Sequence, residues 1–335
     1  MSVKDVVLKI LEENKGEMVS GQAIAAEAGA SRAAVWKAIT QLRKEGHLID
    51  ASTNRGYCLS SSSDLLSQEG IHSFCRLLEA ENIHCYKSVD STNNMAKRLA
   101  TESSCSLSLI VSETQTAGRG RMGRSFYSPD SSGIYMSLLI RPDFDSSKSI
   151  LVTTAASIAV CRAIESLSGI QCQIKWVNDI YLEGRKIGGI LTEGVSNFET
   201  GQVEHLVIGI GINYSTPASS FPEDIQSIAG SLFKGNVLQQ QNSMELPSRN
   251  QLIGTICSQL LQLLKNLNPL DFMEEYKSRS LLLGHPVSFV TPSPGGPVTQ
   301  FGKAIDINPQ GGLVVLLEDG TESHINSGEV TLRKL

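Results

Sequence analysis

The segment GRGRMGR, residues 118–124, has its glycines spaced as G-x-G-x-x-G, the spacing of many dinucleotide-binding loops. Such a fold needs a strand before the loop and a helix that begins inside it. LSLIVS (107–112) predicts the strand, but RSFYSPDSSGIYMSLLI (124–140) contains Pro129 and Gly133 and runs directly into another strand. Because this context leaves no room for the helix, the sequence argues against a doubly wound dinucleotide-binding domain.

The arginines of this segment indicate a different use of the loop. Arg119, Arg121 and Arg124 alternate with the glycines. A guanidinium group binds a carboxylate or a phosphate through two parallel hydrogen bonds, and glycines let the backbone fold over the bound anion. The segment therefore predicts an anion-binding loop, and an arginine-rich surface loop in solvent is the alternative on this segment alone.

The bulk composition describes an ordinary globular protein. A chain of 335 residues can hold two or three domains, since one domain uses about 100–200 residues. The net charge of −5 excludes a general nucleic-acid binder, although one basic face could be hidden in that sum. The N-terminal residues 1–17 are charged throughout, and no apolar run approaches the roughly 18–20 residues of a membrane span.

Seven dispersed cysteines never form a C-x-x-C pair, which argues against a disulfide framework or a zinc site. We therefore expect free thiols in a reducing compartment, a cytoplasmic location and no contact with membranes. The cysteines are Cys58, Cys75, Cys85, Cys105, Cys161, Cys172 and Cys257.

Residues 1–60 have the pattern of a winged helix-turn-helix. Helical patterns over 2–14, 20–28 and 31–45 precede two short strand patterns, HLIDAS (47–52) and YCLS (57–60). Local signals mark the ends of these helices. They are a capping box of Ser2 and Asp5, the caps Ser20 and Ser31, and the terminating Gly46.

This module is predicted to bind DNA through its third helix and its wing. Residues 1–60 contain eight Lys and Arg against seven Asp and Glu, so the basic groups are local rather than general. A few such groups are enough to approach phosphates while a helix enters the major groove. A three-helix protein-interaction module is the alternative. The predicted DNA contacts are Ser31, Arg32, Ala33, Trp36, Lys37, Arg43 and Arg55.

The remainder of the chain alternates strand and helix patterns. The serine-rich run 59–70 is typical of a linker or hinge. Four short strand patterns separated by Pro, Gly and Asn after residue 283 predict a small β-barrel. In between, the strand candidates are 107–112, 134–140, 172–178, 188–194 and 205–213, and the helix candidates are 91–100, 149–168, 250–266 and 270–283.

Residues 175–194, KWVNDIYLEGRKIGGILTEG, contain a second group of candidate ligand-binding side chains. An Asn-Asp pair at a strand end suits Mg²⁺ and nucleotide phosphates, because magnesium prefers oxygen ligands and takes few from protein. Lys186 then stands close to Gly188 and Gly189, where a ligand can approach the backbone. A plain β-hairpin with LEGRK at its turn explains the segment equally well.

Two weaker segments complete the set. DSTNNMAKRLA (90–100) predicts a helix N-terminus, where one hydroxyl caps the helix and a second is free for a ligand. GIGIN (209–213) predicts a strand end at which glycines permit close packing or close approach of a ligand. Neither segment is specific alone.

Taken together and in this order, the segments resemble the bifunctional biotin–protein ligases that also act as biotin operon repressors. The resemblance covers nearly the whole chain, and GRGRxGR combined with K-W-x-N-D and K-x-x-G-I-L is highly specific. The segments that carry it are DSTN (90–93), GRGRMGR (118–124), KWVND (175–179), RKIGGIL (185–191), GIGIN (209–213) and GEVTLR (328–333).

The resemblance implies an α+β multidomain fold. We expect a winged helix-turn-helix DNA-binding domain at 1–63, a mixed α/β ligase domain built on a β-sheet at 71–280, and a small SH3-like β-barrel at 281–335. It also implies ATP-dependent formation of biotinyl-5′-AMP, with Mg²⁺ as part of the substrate complex and no tightly bound metal. Biotin is then transferred to a lysine of the biotin carboxyl carrier protein of acetyl-CoA carboxylase. The implied partners are that carrier, operator DNA and a second copy of the chain, with the homodimer favoured by biotinyl-AMP.

The resemblance also assigns residues. Lys186, Arg119 and Arg121 are the implied catalytic group, and Asp179 is the implied Mg²⁺ ligand. The implied biotin site comprises Ser91, Thr92, Gln115, Gly118, Arg119, Gly120, Arg121, Lys186, Gly189, Leu191, Gly209 and Gly211. The implied ATP side comprises Arg121, Arg124, Phe126, Lys175, Asn178, Asp179, Asn213, Glu329 and Arg333.

Two positions depart from the family pattern, which commonly has Pro where Val177 stands and Trp near Phe126. We expect Val177 to extend its strand and Phe126 to retain an apolar face, so that both tune the activity. Two other functions stay open: a lipoate–protein ligase of the same fold, and a non-catalytic biotin-sensing repressor.

Overall fold

The first part of the chain folds as a winged helix-turn-helix, as its cap signals predict. Ser2 and Asp5 form the capping box of the first helix, and the Ser31 side chain accepts a hydrogen bond from the backbone N–H of Ala34 at 3.2 Å. Gly46 ends the third helix with φ of 109°, a left-handed conformation that suits glycine. The elements are α1 (Val3–Glu13), α2 (Gly21–Glu27), α3 (Arg32–Glu45), β1 (Ile49–Ser52) and β2 (Gly56–Leu59). The computed structural model describes residues 2–102, 107–142, 144, 148–196, 203–233, 246–291 and 296–332.

His47 is buried in this module and is the basis for a predicted pH dependence of its stability. Its side chain is buried between α3 and β1, and its Nδ1 atom has no hydrogen-bond partner. Desolvation lowers the pKa of His47, which outweighs the raising effect of Glu45, and the charges of Lys4 and Lys15 lower it further.

We therefore expect the free energy of unfolding to decrease as pH falls below about 6.5, because the unfolded chain takes up a proton that the folded module resists. The free energy of unfolding of this module, measured by urea denaturation at pH 7.5 and at pH 5.5, checks this. In His47→Gln the pH dependence should become smaller than in wild type, whatever the absolute stability. An unchanged difference between the two pH values would contradict the prediction. The buried Glu12, whose pKa is raised, is common to both proteins and cancels in the comparison.

The serine-rich segment 59–70 is not a free linker, so that expectation is wrong. Arg249 donates to the carboxylates of Asp64 at 2.7 Å and Glu113 at 2.6 Å, and it is only 2% exposed. The backbone N–H of Leu66 donates to Glu113 at 3.1 Å, and that of Ser67 donates to Asn250 at 3.1 Å. Local polarity predicts a solvated linker, whereas Asp64 and Ser67 of this segment take part in buried hydrogen bonds and Ser67 begins a helix. That helix is α4 (Gln68–Phe74), with Ser67 as its cap.

The central part of the chain is a seven-stranded mixed sheet in the order β3-β4-β5-β9-β8-β7-β6. The edge strand β3, which the sequence patterns did not predict, pairs with β4 in parallel, and the other pairs are antiparallel. The strands are β3 (Ile83–Val89), β4 (Leu107–Gln115), β5 (Gly133–Ile140), β6 (Gln173–Lys175), β7 (Asp179–Leu182), β8 (Arg185–Ser196) and β9 (Val203–Asn213).

Helices cover both faces of this sheet. On one face α5 packs through Ala96 against Ile110, Leu139 and Val207, and on the other α6 and α8 share the main core. Contrary to the sequence expectation, α6 is long and apolar enough to cross a membrane by length and composition, but most of it is buried, as befits a core helix. The helices are α5 (Thr92–Glu102), α6 (Ser149–Ser168), α7 (Glu223–Gln226), α8 (Arg249–Leu264) and α9 (Met273–Ser278).

The strand predicted at 172–178 is shorter than expected. β6 ends at Lys175, and residues 176–178 form the turn that lets β7 fold back on β6. Val177 therefore does not extend a strand. Its buried side chain joins the main core, its carbonyl accepts a hydrogen bond from the Tyr276 hydroxyl at 3.0 Å, and its peptide bond to Trp176 is cis.

The C-terminal residues form a five-stranded antiparallel sheet in the order β13-β12-β11-β10-β14, one strand more than the four predicted. It shares the main core with the central sheet, and the Trp176 indole N–H donates to the carbonyl of Gly311 at 2.8 Å. The sheet is therefore fixed beside the turn after β6. Its strands are β10 (Pro286–Thr291), β11 (Val298–Ile307), β12 (Leu313–Leu317), β13 (Glu322–Ile325) and β14 (Val330–Leu332).

Candidate active site and DNA-binding face

A cavity lies where the loop after β4, the strands β7 to β9 and the start of β14 meet. Most of the residues predicted from the sequence line it, although they come from segments far apart in the chain. They are Ser91, Thr92, Gln115, Arg119, Gly120, Arg121, Arg124, Phe126, Lys175, Asn178, Asp179, Lys186, Gly189, Leu191, Gly209, Gly211 and Glu329.

Two of the predicted residues that the structure describes do not line the cavity, and a third lies outside the described residues. Gly118 packs inside the loop, where a Cβ atom would lie 2.4 Å from the Phe126 carbonyl oxygen. The buried Asn213 side chain donates to the Gly230 carbonyl at 2.9 Å and holds the end of β9. Arg333 lies outside the described residues.

The cavity also includes residues that the sequence analysis missed. Asn93 and Trp176 stand within the DSTN and KWVND motifs, but their side chains give no local sign of a binding role. Five more are apolar or glycine members of the other motifs, and their position in the cavity depends on how strands and loops meet. Ser125 and Met136 lie outside every motif. The missed residues are Asn93, Met122, Ser125, Met136, Trp176, Ile190, Ile210, Gly328 and Val330.

Each arginine of the GRGRMGR loop is tied to a different part of the molecule. Arg119 donates to the Asn94 side chain of α5 at 3.1 Å and lies 3.4 Å from the Glu193 carboxylate of β8. Arg121 donates to the side-chain oxygen of Asn178 at 3.0 Å. A guanidinium group carries five N–H donors, so an anionic ligand in the cavity either competes with these protein partners or uses the remaining donors.

The third arginine connects the loop to the C-terminal sheet. Arg124 donates to both carboxylate oxygens of Glu329, at 3.0 and 2.6 Å. The hydrogen bond raises the pKa of Arg124 and lowers that of Glu329. Both side chains are about half exposed, so solvent screens the pair and its exchange for another partner costs little.

Around Thr92 and Gln115 the cavity wall is rich in uncharged hydrogen-bonding groups. The backbone N–H of Thr92, in the first turn of α5, donates to the Gln115 side-chain oxygen at 2.8 Å, and the Gln115 amide donates to the Ser128 hydroxyl at 2.9 Å. Gly211 leaves space for the Phe126 ring, since a Cβ there would lie 2.6 Å from it. Phe126 therefore keeps an apolar face toward the site, as expected.

The charged end of the cavity centres on Lys186. Its ammonium group lies 2.6 Å from Asp179 Oδ1, which also accepts a hydrogen bond from the Asn178 amide at 3.1 Å. These residues are brought together by an antiparallel hairpin of β7 and β8, whose turn at Glu183 and Gly184 has positive φ at both positions. The hairpin interpretation and the ligand-site interpretation of this segment are therefore compatible.

The predicted DNA-binding residues are all exposed, most of them on α3 or at its cap and Arg55 between the two wing strands. Trp36 is 63% exposed on α3, which is unusual for so large an apolar side chain. Arg43 differs from the rest, because its Nε atom donates to the Ile49 carbonyl at 2.8 Å and connects α3 to the wing strand. The exposed residues are Ser31, Arg32, Ala33, Trp36, Lys37, Arg43 and Arg55.

The fold and the site define a class: a ligase-type domain with a cation-lined cavity, joined to a DNA-binding module and a small β-domain. Three family models match these parts. They are the HTH domain at residues 4–58, the biotin/lipoate A/B protein ligase family at 85–213 and the biotin protein ligase C-terminal domain at 282–333.

Individual relatives agree with this class. The bifunctional ligase/repressor BirA of Bacillus spizizenii is 41% identical over 231 residues, which cover 68% of this chain and 70% of the relative. That of Salmonella typhimurium is 30% identical over 325 residues, covering 95% and 94%. A biotin protein ligase of Aquifex aeolicus, solved in complex with biotin and ATP, has a TM-score of 0.58 at 28% identity, covering 76% of this chain and 100% of that one. The chain belongs to the family of bifunctional biotin–protein ligases and repressors.

Proposed function

We propose that this protein is an ATP-dependent biotin–[acetyl-CoA-carboxylase] ligase that also represses transcription of biotin genes. The ligase makes biotinyl-5′-AMP and transfers biotin to a lysine of the biotin carboxyl carrier protein. The observation that carries the proposal is one cavity lined both by three cationic side chains, Lys186, Arg119 and Arg121, and by the uncharged hydrogen-bonding side chains of Thr92 and Gln115. A ligand that carries a polar, neutral head and a carboxylate matches this lining.

The first reaction step brings two anions together. A biotin carboxylate oxygen attacks the α-phosphorus of ATP, a new P–O bond forms, and the bond to the departing pyrophosphate breaks. Lys186 and Arg121 offset the repulsion between the carboxylate and the phosphate and stabilise the charge that develops. Arg119, together with Gly118 and Gly120 of the loop, covers the biotin carboxylate. Gly189, Leu191, Gly209 and Gly211 line the biotin slot, with Ser91, Thr92 and Gln115 at its head.

In the second step the amine of the carrier lysine attacks the biotinyl carbonyl carbon, the nitrogen loses a proton as the amide forms, and AMP leaves with the bonding electrons. The ATP side of the site comprises Arg121, Arg124, Phe126, Lys175, Asn178, Asp179 and Glu329, with Asn213 and Arg333 as the less direct members. Their cations hold phosphate oxygens, and the Phe126 ring supplies an apolar face.

Magnesium would enter this site with ATP. The ion prefers oxygen ligands and takes few from protein, and the cavity offers the Asp179 carboxylate and the side-chain oxygen of Asn178, which accepts from Arg121 in this structure. These two residues would hold it, and it would supply positive charge on the phosphate oxygens.

Incubation with biotin, Mg-ATP and an apo carrier domain tests the ligase proposal, with the products examined by intact mass. One biotinyl addition on the carrier is the expected result. Labelling with lipoate instead would identify a lipoate ligase. Absence of biotin-dependent ATP–pyrophosphate exchange would leave only a biotin-sensing repressor.

We infer further that two copies of the chain bind a palindromic operator in the cytoplasm, and that biotinyl-AMP favours the dimer. The winged helix module offers only a few basic groups, so one copy should bind weakly and with strong salt dependence. Biotin and ATP together should raise the sedimentation coefficient, because the dimer forms, and should strengthen operator binding. The coupling free energy between ligand binding and operator binding should be about 1–3 kcal/mol. Unchanged association and unchanged operator affinity would refute the coupling.

Arg121→Ala tests the role of the loop. We expect biotinyl-AMP to leave the enzyme early and to label bystander lysines, because the guanidinium group that leaves Asn178 for the adenylate phosphate is missing. Release of radiolabelled adenylate in single-turnover experiments measures this, with the exposed wing variant Arg55→Ala as the matched control. Retention of the adenylate as in wild type would show that Arg121 does not hold it.

A further inference from the structure

The turn between β6 and β7, residues 176–178, carries two of the side chains that line the cavity. Trp176 and Asn178 line it, whereas the side chain of Val177 between them is buried in the main core. The Val177 carbonyl accepts hydrogen bonds from two buried side chains, the Tyr276 hydroxyl at 3.0 Å and the Ser157 hydroxyl at 3.4 Å. One side of the turn therefore meets the ligand space, and the other is held by groups that do not line the cavity.

Tyr276 is the principal donor to that carbonyl. Its side chain is fully buried, and desolvation raises the pKa of Tyr276 well above its ordinary value, so the hydroxyl keeps its proton. A carbonyl oxygen only accepts, so this proton is directed at Val177. The Ser157 hydroxyl also donates to the Thr153 carbonyl at 3.0 Å, so its single proton serves Val177 only in part.

Tyr276 reaches the turn from a helix that is itself fixed. It lies on α9, which an ion pair between Glu275 and Arg162 of α6 holds at 2.8 Å. The chain after α9 then runs beside β6, where the Ile174 N–H donates to the Arg279 carbonyl at 2.8 Å. The Tyr276 hydroxyl therefore connects the turn to a helix that is anchored on both α6 and β6.

The cavity side of the turn depends on this support. The Asn178 side-chain oxygen accepts from Arg121 at 3.0 Å, and the Asn178 amide donates to the Asp179 carboxylate at 3.1 Å. The Ile190 N–H of β8 holds the Asn178 carbonyl at 2.9 Å, and Tyr276 holds the carbonyl before it. Two successive carbonyls are thus fixed by different elements, and a shift of the turn would displace the oxygen atoms of Asn178 and Asp179.

We propose that Tyr276 is a positioning residue for the ATP side of the site, because its hold on the Val177 carbonyl sets the place of Asn178 and Asp179. The inference rests on the proposed function, which assigns those two residues to Mg-ATP. Without the hydroxyl, the turn occupies its binding arrangement for only a fraction of the time, and the apparent affinity for Mg-ATP falls by that fraction.

Biotin binding should change much less than binding of Mg-ATP. The proposed site for the head of biotin is built on α5 and β4, where the Thr92 N–H donates to the Gln115 side-chain oxygen at 2.8 Å. This contact does not involve the turn between β6 and β7. A selective effect on Mg-ATP is therefore the mark of a positioning role, in contrast to a general loss of structure.

The test compares Tyr276→Phe with Tyr214→Phe, which loses a bond of the same kind. Tyr214 is also buried, and its hydroxyl donates to the Pro247 carbonyl at 2.5 Å, away from the residues that line the cavity. Biotin-dependent ATP–pyrophosphate exchange gives KM for Mg-ATP at saturating biotin and KM for biotin at saturating Mg-ATP. Both variants keep the aromatic ring, and urea denaturation should show a similar loss of stability in each.

In Tyr276→Phe we expect KM for Mg-ATP to rise by about fivefold to tenfold, the scale of one buried hydrogen bond. KM for biotin and kcat should stay as in wild type, because saturating Mg-ATP restores the binding arrangement of the turn. Tyr214→Phe should match wild type in all three values.

An equal KM for Mg-ATP in Tyr276→Phe and Tyr214→Phe would overturn the inference. So would a joint change of both KM values and kcat, which a merely structural role predicts. If Tyr276→Phe fails to fold, Ser157→Ala, which removes the partial donor, decides. KM for Mg-ATP should then rise by about twofold with KM for biotin unchanged, and no rise would overturn the inference. A wild-type protein without biotin-dependent exchange would overturn the proposed function and this inference with it, whereas an active wild type with unaffected variants overturns only the inference.

Discussion

Lys186→Ala is expected to lower the rate of biotin-dependent ATP–pyrophosphate exchange by about 10²–10³ while the protein stays folded. Lys186 brings its charge into a cavity where a carboxylate and a triphosphate must meet, and no other lysine of β7 or β8 lines that cavity among the described residues. The ammonium group is paired with Asp179 at 2.6 Å, so it is already held at the wall of this cavity. Its loss removes an interaction that strengthens in the transition state.

The readout for Lys186→Ala separates chemistry from stability. The side chain is 34% exposed, so its removal should change the free energy of unfolding much less than the rate. Lys87→Ala, an exposed lysine on β3 outside the cavity, is the matched control for a lost positive charge. An exchange rate near that of Lys87→Ala would exclude Lys186 from the mechanism.

Local chemistry explains which parts of the fold were predictable. Ser31 and Gly46 bound α3 because a cap hydroxyl and a left-handed glycine act within one turn of the chain. The site segments were predictable as well, because each motif brings its own charges and glycines to a strand end or loop. Most of the predicted residues converge in the cavity, although the assignment of a role to each stays a prediction.

Long-range pairing explains what the sequence patterns missed. Nothing near Ser137 shows that β9 places Gly209 opposite it, or that this glycine makes room for Asn93. Arg249 is 185 residues from Asp64, so the local polarity of residues 59–70 indicated a solvated linker where the fold buries an ion pair. Such groups are recognised only once the register of the sheet is known.

The buried contacts of the connecting segment decide how a truncation should be made. The Ser67 hydroxyl and the Asn250 amide both lie against Glu12 of α1, at 3.5 and 3.3 Å, and α1 packs on α4. Removal of residues 1–60 keeps Asp64 and its bond to Arg249, but it uncovers α4 and leaves Ser67 and Asn250 without Glu12.

Deletion of residues 1–60 should therefore abolish operator binding entirely, keep biotin ligation, and lower the free energy of unfolding of the remaining protein. Every predicted DNA contact lies within the deleted residues, whereas every residue of the catalytic cavity lies outside them. The matched control is Arg32→Ala with Lys37→Ala in the full chain, which removes two exposed charges from α3 and leaves α1 on α4. That double variant should lose operator affinity without the loss of stability, as measured by fluorescence anisotropy and urea denaturation. Operator binding by the truncated protein would place the DNA-binding surface elsewhere. Equal stability of the truncated and full proteins would mean that the contacts of Glu12 contribute nothing, since the cut was chosen to spare the Arg249 ion pairs.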